Sequence, residues 1–445
     1  MGIGGAGMSA LAELLMRRGV IITGCDIAPE AGADLTRHGI TVSTGHDSAH
    51  VDGVRAVVVT SAVPRDHAEL MRARQLGIPV IRRAEALGEA VSGATLIAVA
   101  GTHGKTTTTV MTTEALAAAG AAPTGLAGGR VAAWHGNLRV GSGSLFIVEA
   151  DEYDRSFLAL TPTIAVITNV ETDHLDIYSG LADIRRAFEQ FLAPARTVVL
   201  CADDPGSSTL DVPAPTETLS YGIANEAARL SAHDIMSVEG RLRFLVRLDG
   251  TDLGEITLRV PGMHNVRNAL AAVGSGIAMG TSLGALRGGL EAFEGVERRF
   301  QRLGAVRGVQ VVDDYAHHPT EINATLDAAR AAFPGRRLIA AFQPHLFTRT
   351  RDFAEAFGLA LSRADLVFLT EIYPAREHPL PGVTSVLVAD ALRKAGREAE
   401  WIGRRSELAA AIAATAREGD VVLTLGAGDI TLTGTELLQR LGASR

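Results

Sequence analysis

The stretch Ala100 to Thr109 reads A-G-T-H-G-K-T-T-T-T. Before it, Leu96 to Val99 is apolar and predicts a buried strand. After it, Val110 to Ala119 has the composition of a helix that stops at Gly120. A glycine-rich turn between strand and helix aims several backbone N–H groups at one anion, and the helix N-terminus adds its dipole. Lys105 adds a positive charge, and the hydroxyl of Thr106 stands where it would reach a magnesium ion. Gly101, Thr102, His103, Gly104, Lys105, Thr106 and Thr107 are therefore the expected cradle of a nucleotide triphosphate. The general phosphate-loop pattern asks for a glycine at position 99, which is valine, so the form here is the shorter G-T-x-G-K-T.

Outward from this loop, strands and helices alternate, which predicts an α/β chain with parallel sheets. Boundaries near residues 88 and 295 divide the 445 residues into segments 1–87, 88–294 and 295–445. With 47 % hydrophobic and 21 % charged residues the composition is that of a soluble globular protein. A formal net charge of -8 gives no support to a nucleic-acid partner. No apolar run approaches a membrane span, and nothing resembles a signal peptide. The two cysteines, Cys25 and Cys201, make no disulfide framework, so a cytoplasmic location is expected.

The first segment opens on a second glycine turn. Gly2, Gly4 and Gly7 satisfy G-x-G-x-x-G, and Met8 to Arg18 has a helix pattern. The strand that normally precedes such a turn is missing here. Val20 to Cys25 predicts the next strand, with Asp26 placed to meet a ribose hydroxyl. A dinucleotide fits this turn, and so does another diphosphate ligand. Val54 to Val59, running to Thr60-Ser61, and Ile78 to Ile81 predict two more strands.

In the second segment, Gly125 to Gly143 reads as an irregular loop. Leu145 to Val148 predicts a strand with Glu149 at its carboxyl end, followed by Asp151, Glu152 and Asp154. A carboxylate so placed beside a phosphate loop holds Mg2+ against the β and γ phosphates. His174 follows the strand Thr163 to Thr168 and is a candidate second ligand. Residues 227–260 alternate as an antiparallel excursion, and Asn265 and Asn268 lie on one helix face, for a purine edge or a cap. In the third segment, polar groups gather after the strands Gly308–Val312, Arg337–Phe342, Leu366–Thr370 and Val421–Leu425. Parallel sheets keep their ligands at such ends.

Taken together, G-I-G-G-A-G-M-S, G-T-H-G-K-T-T-T-T, E-A-D-E-Y-D-R-S-F, T-N-V-E-T-D-H-L-D, G-x-H-N-x-x-N-A-L-A-A, E-R-R-F, D-D-Y-A-H-H-P-T-E-I and F-Q-P-H-x-F-T-R-T resemble the Mur ligases. The resemblance spans residues 2 to 429. It implies a three-domain ATP-dependent carboxylate–amine ligase: a Rossmann-like UDP-sugar domain, a central P-loop ATPase-type domain and a Rossmann-like C-terminal domain. The implied cofactors are ATP and Mg2+, and the implied partners are UDP-N-acetylmuramate and L-alanine, with the chain a monomer or weak homodimer. Gly2, Gly4, Gly5, Gly7, Met8, Asp26 and Ser61 would serve the UDP-sugar, replacing the dinucleotide reading. Lys105, Glu149, His174, His318 and Arg349 would be catalytic, with Thr106, Glu149 and His174 on the metal. Asn265, Asn268, Arg299 and Asp314 would join the loop on ATP, and His318, His345 and Arg349 would take the amino acid. Leu346 departs from the arginine that many members carry after Q-P-H. No lysine lies between His174 and Arg196, where several sister ligases carbamylate one, which fits the alanine-adding branch. A relative adding a tripeptide in murein recycling has similar motifs.

Overall fold

The computed structural model describes residues 1–28, 32–60, 62–238 and 240–443. Ser61, expected on the UDP-sugar, lies outside them. The chain divides into two compact units: residues 1–235, 243–257 and 266–293, and residues 236–242, 258–265 and 294–445.

In the first unit, β1 (Thr23–Asp26) pairs in parallel with β2 (Thr41–Thr44), and β3 (Val57–Val59) with β4 (Val80–Arg82). The chain start runs between these pairs. The Met1 amino group donates to the Val58 carbonyl at 2.9 Å, and the Gly2 and Ile3 N–H groups donate to the Cys25 carbonyl at 2.9 and 3.2 Å. Residues 1–3 thus bridge the two strand pairs without forming a strand. The glycine turn then opens the helix Ala6–Arg17, whose apolar stripe, Ala10, Leu11 and Leu14, packs against Leu126, Leu138 and Phe146.

The large sheet of this unit has ten strands, in the order β14-β13-β12-β11-β10-β9-β5-β8-β6-β7. They are β5 (Thr95–Ala100), β6 (Thr124–Val131), β7 (Gly136–Arg139), β8 (Leu145–Glu149), β9 (Ile164–Ile167), β10 (Thr197–Cys201), β11 (Glu217–Gly222), β12 (Leu230–Val238), β13 (Arg241–Leu248) and β14 (Thr251–Leu258). β5 lies between β8 and β9, parallel to both. Its residues Leu96 to Ala100 are buried, as expected of a central strand with both faces covered.

The expected irregular loop at 125–143 is corrected. β6 and β7 form an antiparallel pair there, with Leu126, Ala127, Val131 and Leu138 buried. The glycines admit close neighbours: a Cβ on Gly125 would meet Thr113 at 2.7 Å, and one on Gly128 would meet Glu149 at 2.5 Å. Such approach is one reason for glycine inside a strand.

The second unit holds a six-stranded sheet, in the order β15-β16-β20-β17-β18-β19. These are β15 (Gln301–Val306), β16 (Val309–Asp314), β17 (Leu338–Phe342), β18 (Leu366–Thr370), β19 (Trp401–Gly403) and β20 (Val421–Leu425). Only β15 runs antiparallel, as an edge. The strands β16, β17, β18 and β20 are apolar on both faces and feed two cores, one on each side of the sheet. Among the described residues, no helix is long and apolar enough to cross a membrane.

Candidate functional site

The glycine turn after β5 leads into the helix Lys105–Ala118, and Gly104 precedes it at φ 80°. That conformation favours glycine. Contact reinforces it, since a Cβ on Gly104 would lie 2.7 Å from Asn268 Oδ1. The helix is rich in β-branched threonine, a weak helix former. Thr112 and Thr113 donate their hydroxyls to the carbonyls of Thr108 and Thr109 at 2.7 Å, which satisfies them in the interior.

A second segment, 168–171, holds the turn in shape. The His103 N–H donates to Asn169 Oδ1 at 2.8 Å, and Asn169 Nδ2 donates back to the His103 carbonyl at 3.0 Å. Thr168 Oγ1 donates to the same carbonyl at 2.6 Å, and the Glu171 N–H donates to Thr102 Oγ1 at 2.9 Å. Asn169 has no place among the residues expected from the sequence. Its amide matches a backbone donor and acceptor of one residue 66 positions away, a pairing that no local pattern announces. On the other side, Thr108 Oγ1 donates to Asn268 Oδ1 at 3.2 Å. Asn268 therefore buttresses the phosphate loop itself, while Asn265 donates its amide to the Pro261 carbonyl at 2.6 Å.

The charged groups meet at the carboxyl ends of β5 and β8. Lys105 Nζ donates to Glu152 Oε2 at 2.7 Å and to the Gly101 carbonyl at 2.7 Å. Burial alone would lower the Lys105 pKa, but the charges of Glu152, Asp151 and Glu149 hold it above the ordinary lysine value. Burial pushes Glu152 up to about 7 against the pull of Lys105. Thr106 Oγ1 donates to Glu149 Oε1 at 3.0 Å, and the Gly128 N–H donates to Glu149 Oε2. Burial also raises the Glu149 carboxyl above its usual range. His174 Nε2 stands 3.7 Å from Glu152 Oε1 and 3.8 Å from Asp173 Oδ2. Asp154, Arg155 and His174 have positive φ values of 51–54°, strain of a kind that collects at functional sites. The structure thus joins Lys105, Thr106, Glu149 and His174, with Glu152, a residue the motif contains but its spacing does not single out, between Lys105 and His174.

These donors suit a hard cation. A hydroxyl and buried carboxylates are the oxygen ligands magnesium takes, and buried Glu152 Oε1 has no hydrogen bond. Asp151, Glu152 and His174 also bring one donor atom each within 4.8 Å of one another. The first N–H groups of a helix lack intrahelical acceptors, which suits a phosphate.

At the N-terminal turn, Asp26 Oδ2 accepts from the Gly4 N–H at 2.9 Å. The Gly5 N–H donates to the Gly2 carbonyl at 3.3 Å, Gly7 lies in the first turn of the helix, and Met8 is buried on it. A Cβ on Gly7 would meet Arg83 Nη1 at 2.9 Å, so a guanidinium lies against the opening turn of that helix. A cation there opposes the helix dipole unless an anion joins it. Arg83 carries no motif signal in the sequence.

In the second unit, Asp314 accepts from the Phe300 and Ala316 N–H groups, both at 2.8 Å, and burial pushes its carboxyl up to about 6. Arg298 and Arg299 both lie over the Tyr315 ring, and Arg299 reaches Glu321 at 3.3 Å. His318 caps the helix Pro319–Ala332, with its ring on Phe353. His345 stacks on Tyr373 and meets His317 edge-on. Arg349 is buried on the helix Phe347–Leu361. Leu346 begins that helix at φ 69°, with its N–H donating to the Tyr373 carbonyl at 2.9 Å.

Three family models match the chain: "Mur ligase family, catalytic domain" over residues 1–95, "Mur ligase middle domain" over 99–276, and "Mur ligase, glutamate ligase domain" over 298–428. The UDP-N-acetylmuramate–L-alanine ligase of Chlorobium phaeovibrioides is 44% identical, over 98% of this chain and 96% of its own. That of Streptomyces griseus is 42% identical, over 100% and 97%. The crystal structure of UDP-N-acetylmuramate–alanine ligase from Thermotoga maritima superposes with a TM-score of 0.86 at 31% identity, over 100% of this chain and 98% of that one. A murein peptide ligase from Psychrobacter arcticus superposes with a TM-score of 0.74 at 25% identity, over 100% and 98%.

Proposed function

The chain belongs to the Mur ligase family, and from that premise we propose that it joins L-alanine to the carboxylate of UDP-N-acetylmuramate with ATP, in peptidoglycan precursor synthesis. Identity above 40% to alanine-adding ligases over nearly the full chain supports the choice of substrates. The observation that carries the chemistry is the buried Lys105–Glu152 pair beside Thr106 and Glu149.

In this reading the loop 101–107 takes the phosphates, and Lys105 exchanges Glu152 for phosphate oxygens. Thr106, Glu149 and His174 would hold Mg2+, which would supply positive charge against the phosphates. Two unit charges 4 Å apart interact by about 4 kcal/mol at an effective dielectric near 20. The substrate carboxylate approaches a polyanion, so Lys105 and nearby arginines must offset several such terms. Carboxylate attack on the γ phosphate gives an acyl phosphate and ADP. The alanine amine then attacks the acyl carbon and releases phosphate. Water would consume the acyl phosphate, so it must be excluded while that intermediate exists. Gly2 to Met8, Asp26 and Arg83 serve the UDP diphosphate and ribose. Asn265, Asn268, Arg299 and Asp314 serve ATP directly or through the loop, and His318, His345 and Arg349 serve the amino acid. In this reading the domains run 1–87, 88–294 and 295–445.

The test is ATP-dependent phosphate release with UDP-N-acetylmuramate and a panel of L-alanine, L-serine, glycine and the tripeptide, with product masses determined. Release with alanine and a product heavier by one alanyl residue is expected. Turnover with the tripeptide alone would move the assignment to murein recycling, and no amide with any amine would end the ligase reading.

A further inference from the structure

Three of the chain's thirteen histidines and one of its two cysteines converge on a single carboxylate away from the phosphate loop. Glu69, in the first turn of the helix Ala68–Gln75, is fully buried. Among the described residues no lysine or arginine pairs with it. Its partners are His50 Nδ1 at 2.8 Å, His46 Nδ1 at 3.2 Å, Cys25 Sγ at 3.3 Å and, further off, His67 Nδ1 at 3.9 Å. His46 Nδ1 also lies 3.3 Å from Cys25 Sγ. The His67 ring meets that of His46 edge-on at 4.8 Å.

The donors come from separate pieces of chain. Cys25 is on β1, His46 follows β2, His50 is in the short 3-10 helix Ser48–Val51, and Glu69 follows the cap residue His67. The Asp47 N–H lies 3.3 Å from both Glu69 Oε1 and His50 Nδ1 and holds the two together. Tetrahedral zinc holds nitrogen and oxygen near 2.0–2.1 Å and sulfur near 2.3 Å, which separates its ligand atoms by about 3.3–3.8 Å. Cys25 and His46 lie close to that range from each other and from Glu69, with His46 on Oε2 and His50 on Oε1, so the carboxylate spans the two imidazoles and the His50–Glu69 contact needs to open by about half an ångström. Cys25, His50 and Glu69 bring one donor atom each within 4.8 Å of one another. A thiol and imidazoles are soft or borderline donors that select zinc, cobalt or related ions over magnesium.

We propose that Cys25, His46, His50 and Glu69 form a binding site for one divalent transition-metal ion of the zinc class, with His67 packed at its rim. Binding breaks the Cys25 S–H bond, forms a metal–sulfur bond and passes the proton to solvent. The ion ties the 46–50 turn and the Ala68–Gln75 helix to β1. The Cys25 carbonyl receives the Gly2 and Ile3 N–H groups, and Asp26 receives that of Gly4. The role is therefore structural: it stiffens the strand that carries the N-terminal glycine turn.

Cobalt(II) is the probe, added to the metal-stripped full chain in excess Mg2+. One equivalent per chain should bind and give a thiolate-to-cobalt charge-transfer band. Cys25→Ser should abolish the band, while Cys201→Ser keeps it. His50→Ala alters a partly exposed turn and leaves His46, Cys25 and the Asp47 N–H on the buried carboxylate, and its fold is verified by far-UV circular dichroism before cobalt is added. It should weaken cobalt binding at least about tenfold. Zinc should raise the thermal midpoint of the unaltered chain and not that of Cys25→Ser. A band that is absent, that survives Cys25→Ser, or that depends on Cys201 overturns the proposal, as does unchanged affinity in His50→Ala.

Discussion

Replacing both members of the Lys105–Glu152 pair should cost far less stability than the two single replacements added together. At 2.7 Å and an effective dielectric near 20, their attraction is about 6 kcal/mol. Removing both charges from water offsets most of this, because each buried ion costs several kcal/mol to desolvate. The intact pair therefore contributes little net, but breaking it leaves an uncompensated charge and costs about 3–5 kcal/mol. Lys105→Met leaves Glu152 between Asp151 and Glu149 without its cation, so its carboxyl takes up a proton and the full cost is reached only above its raised value. Glu152→Gln strands a lysine that keeps the Gly101 carbonyl and those same two carboxylates, so it should be the milder change. The double variant strands neither, and a coupling of about 3 kcal/mol is expected between the single changes. Urea denaturation without nucleotide measures it. With Trp401→Phe throughout, the remaining tryptophan, Trp134, reports on the unit that holds the pair. The pH dependence gives a second check. Glu152 already titrates near 7, above its unfolded value, so its contribution to stability is lost as pH rises through the folded value. Lys105→Met raises that value further, so the cost of the substitution should grow between pH 6 and 8. Single effects that add within about 0.5 kcal/mol, or a cost independent of pH, would refute the coupled-pair account.

Three further outcomes follow from the same geometry. Glu149→Ala should raise the Mg2+ concentration for half-maximal phosphate release by about tenfold or more, and an unchanged magnesium dependence would remove Glu149 from the metal. Gly104→Ala should lower thermal stability, since a left-handed alanine costs about 1–2 kcal/mol and its Cβ would press on Asn268 at 2.7 Å, as calorimetry can test; an unchanged midpoint would refute it. Asp314 is raised from 3.8 to about 6 by burial, so its favourable contribution is lost as pH rises; the stability of the unaltered chain relative to Asp314→Asn should fall by about 2.4 kcal/mol between pH 4 and 7 in denaturant titrations.

The order of strands and helices was legible because each buried strand is a short apolar run ended by polar or glycine residues. Leu366–Thr370 and Val421–Leu425 match the structure residue for residue. The stretch 125–143 misled because its glycines, which usually punctuate loops, here serve contacts. Gly125 faces Thr113 and Gly128 faces Glu149, residues on a helix and a strand that the local sequence does not contain. At the chain start, the glycine turn was readable without its strand. Its support, the carbonyls of Cys25 and Val58, is supplied by other strands and so is a property of the fold alone.

The phosphate loop shows the same division at the level of the site. Its residues were evident because a lysine and a hydroxyl after a glycine turn have few other uses between a buried strand and a helix. What holds the loop open was not, since it comes from Asn169 and Asn268, 66 and 160 positions from their partners. Each asparagine supplies one amide to a place where the turn leaves polar groups facing protein. Asn169 binds the N–H and carbonyl of His103, and Asn268 closes over Gly104 and Thr108. An apolar substitute of similar size would fill the space and leave buried polar groups unsatisfied, at about 1–3 kcal/mol each. The loop is therefore preorganised by neighbours that need never touch a phosphate. Asparagine at 169 is explained by the backbone groups it satisfies, and at 268 by the Thr108 hydroxyl it receives, as fully as by any contact with a nucleotide base.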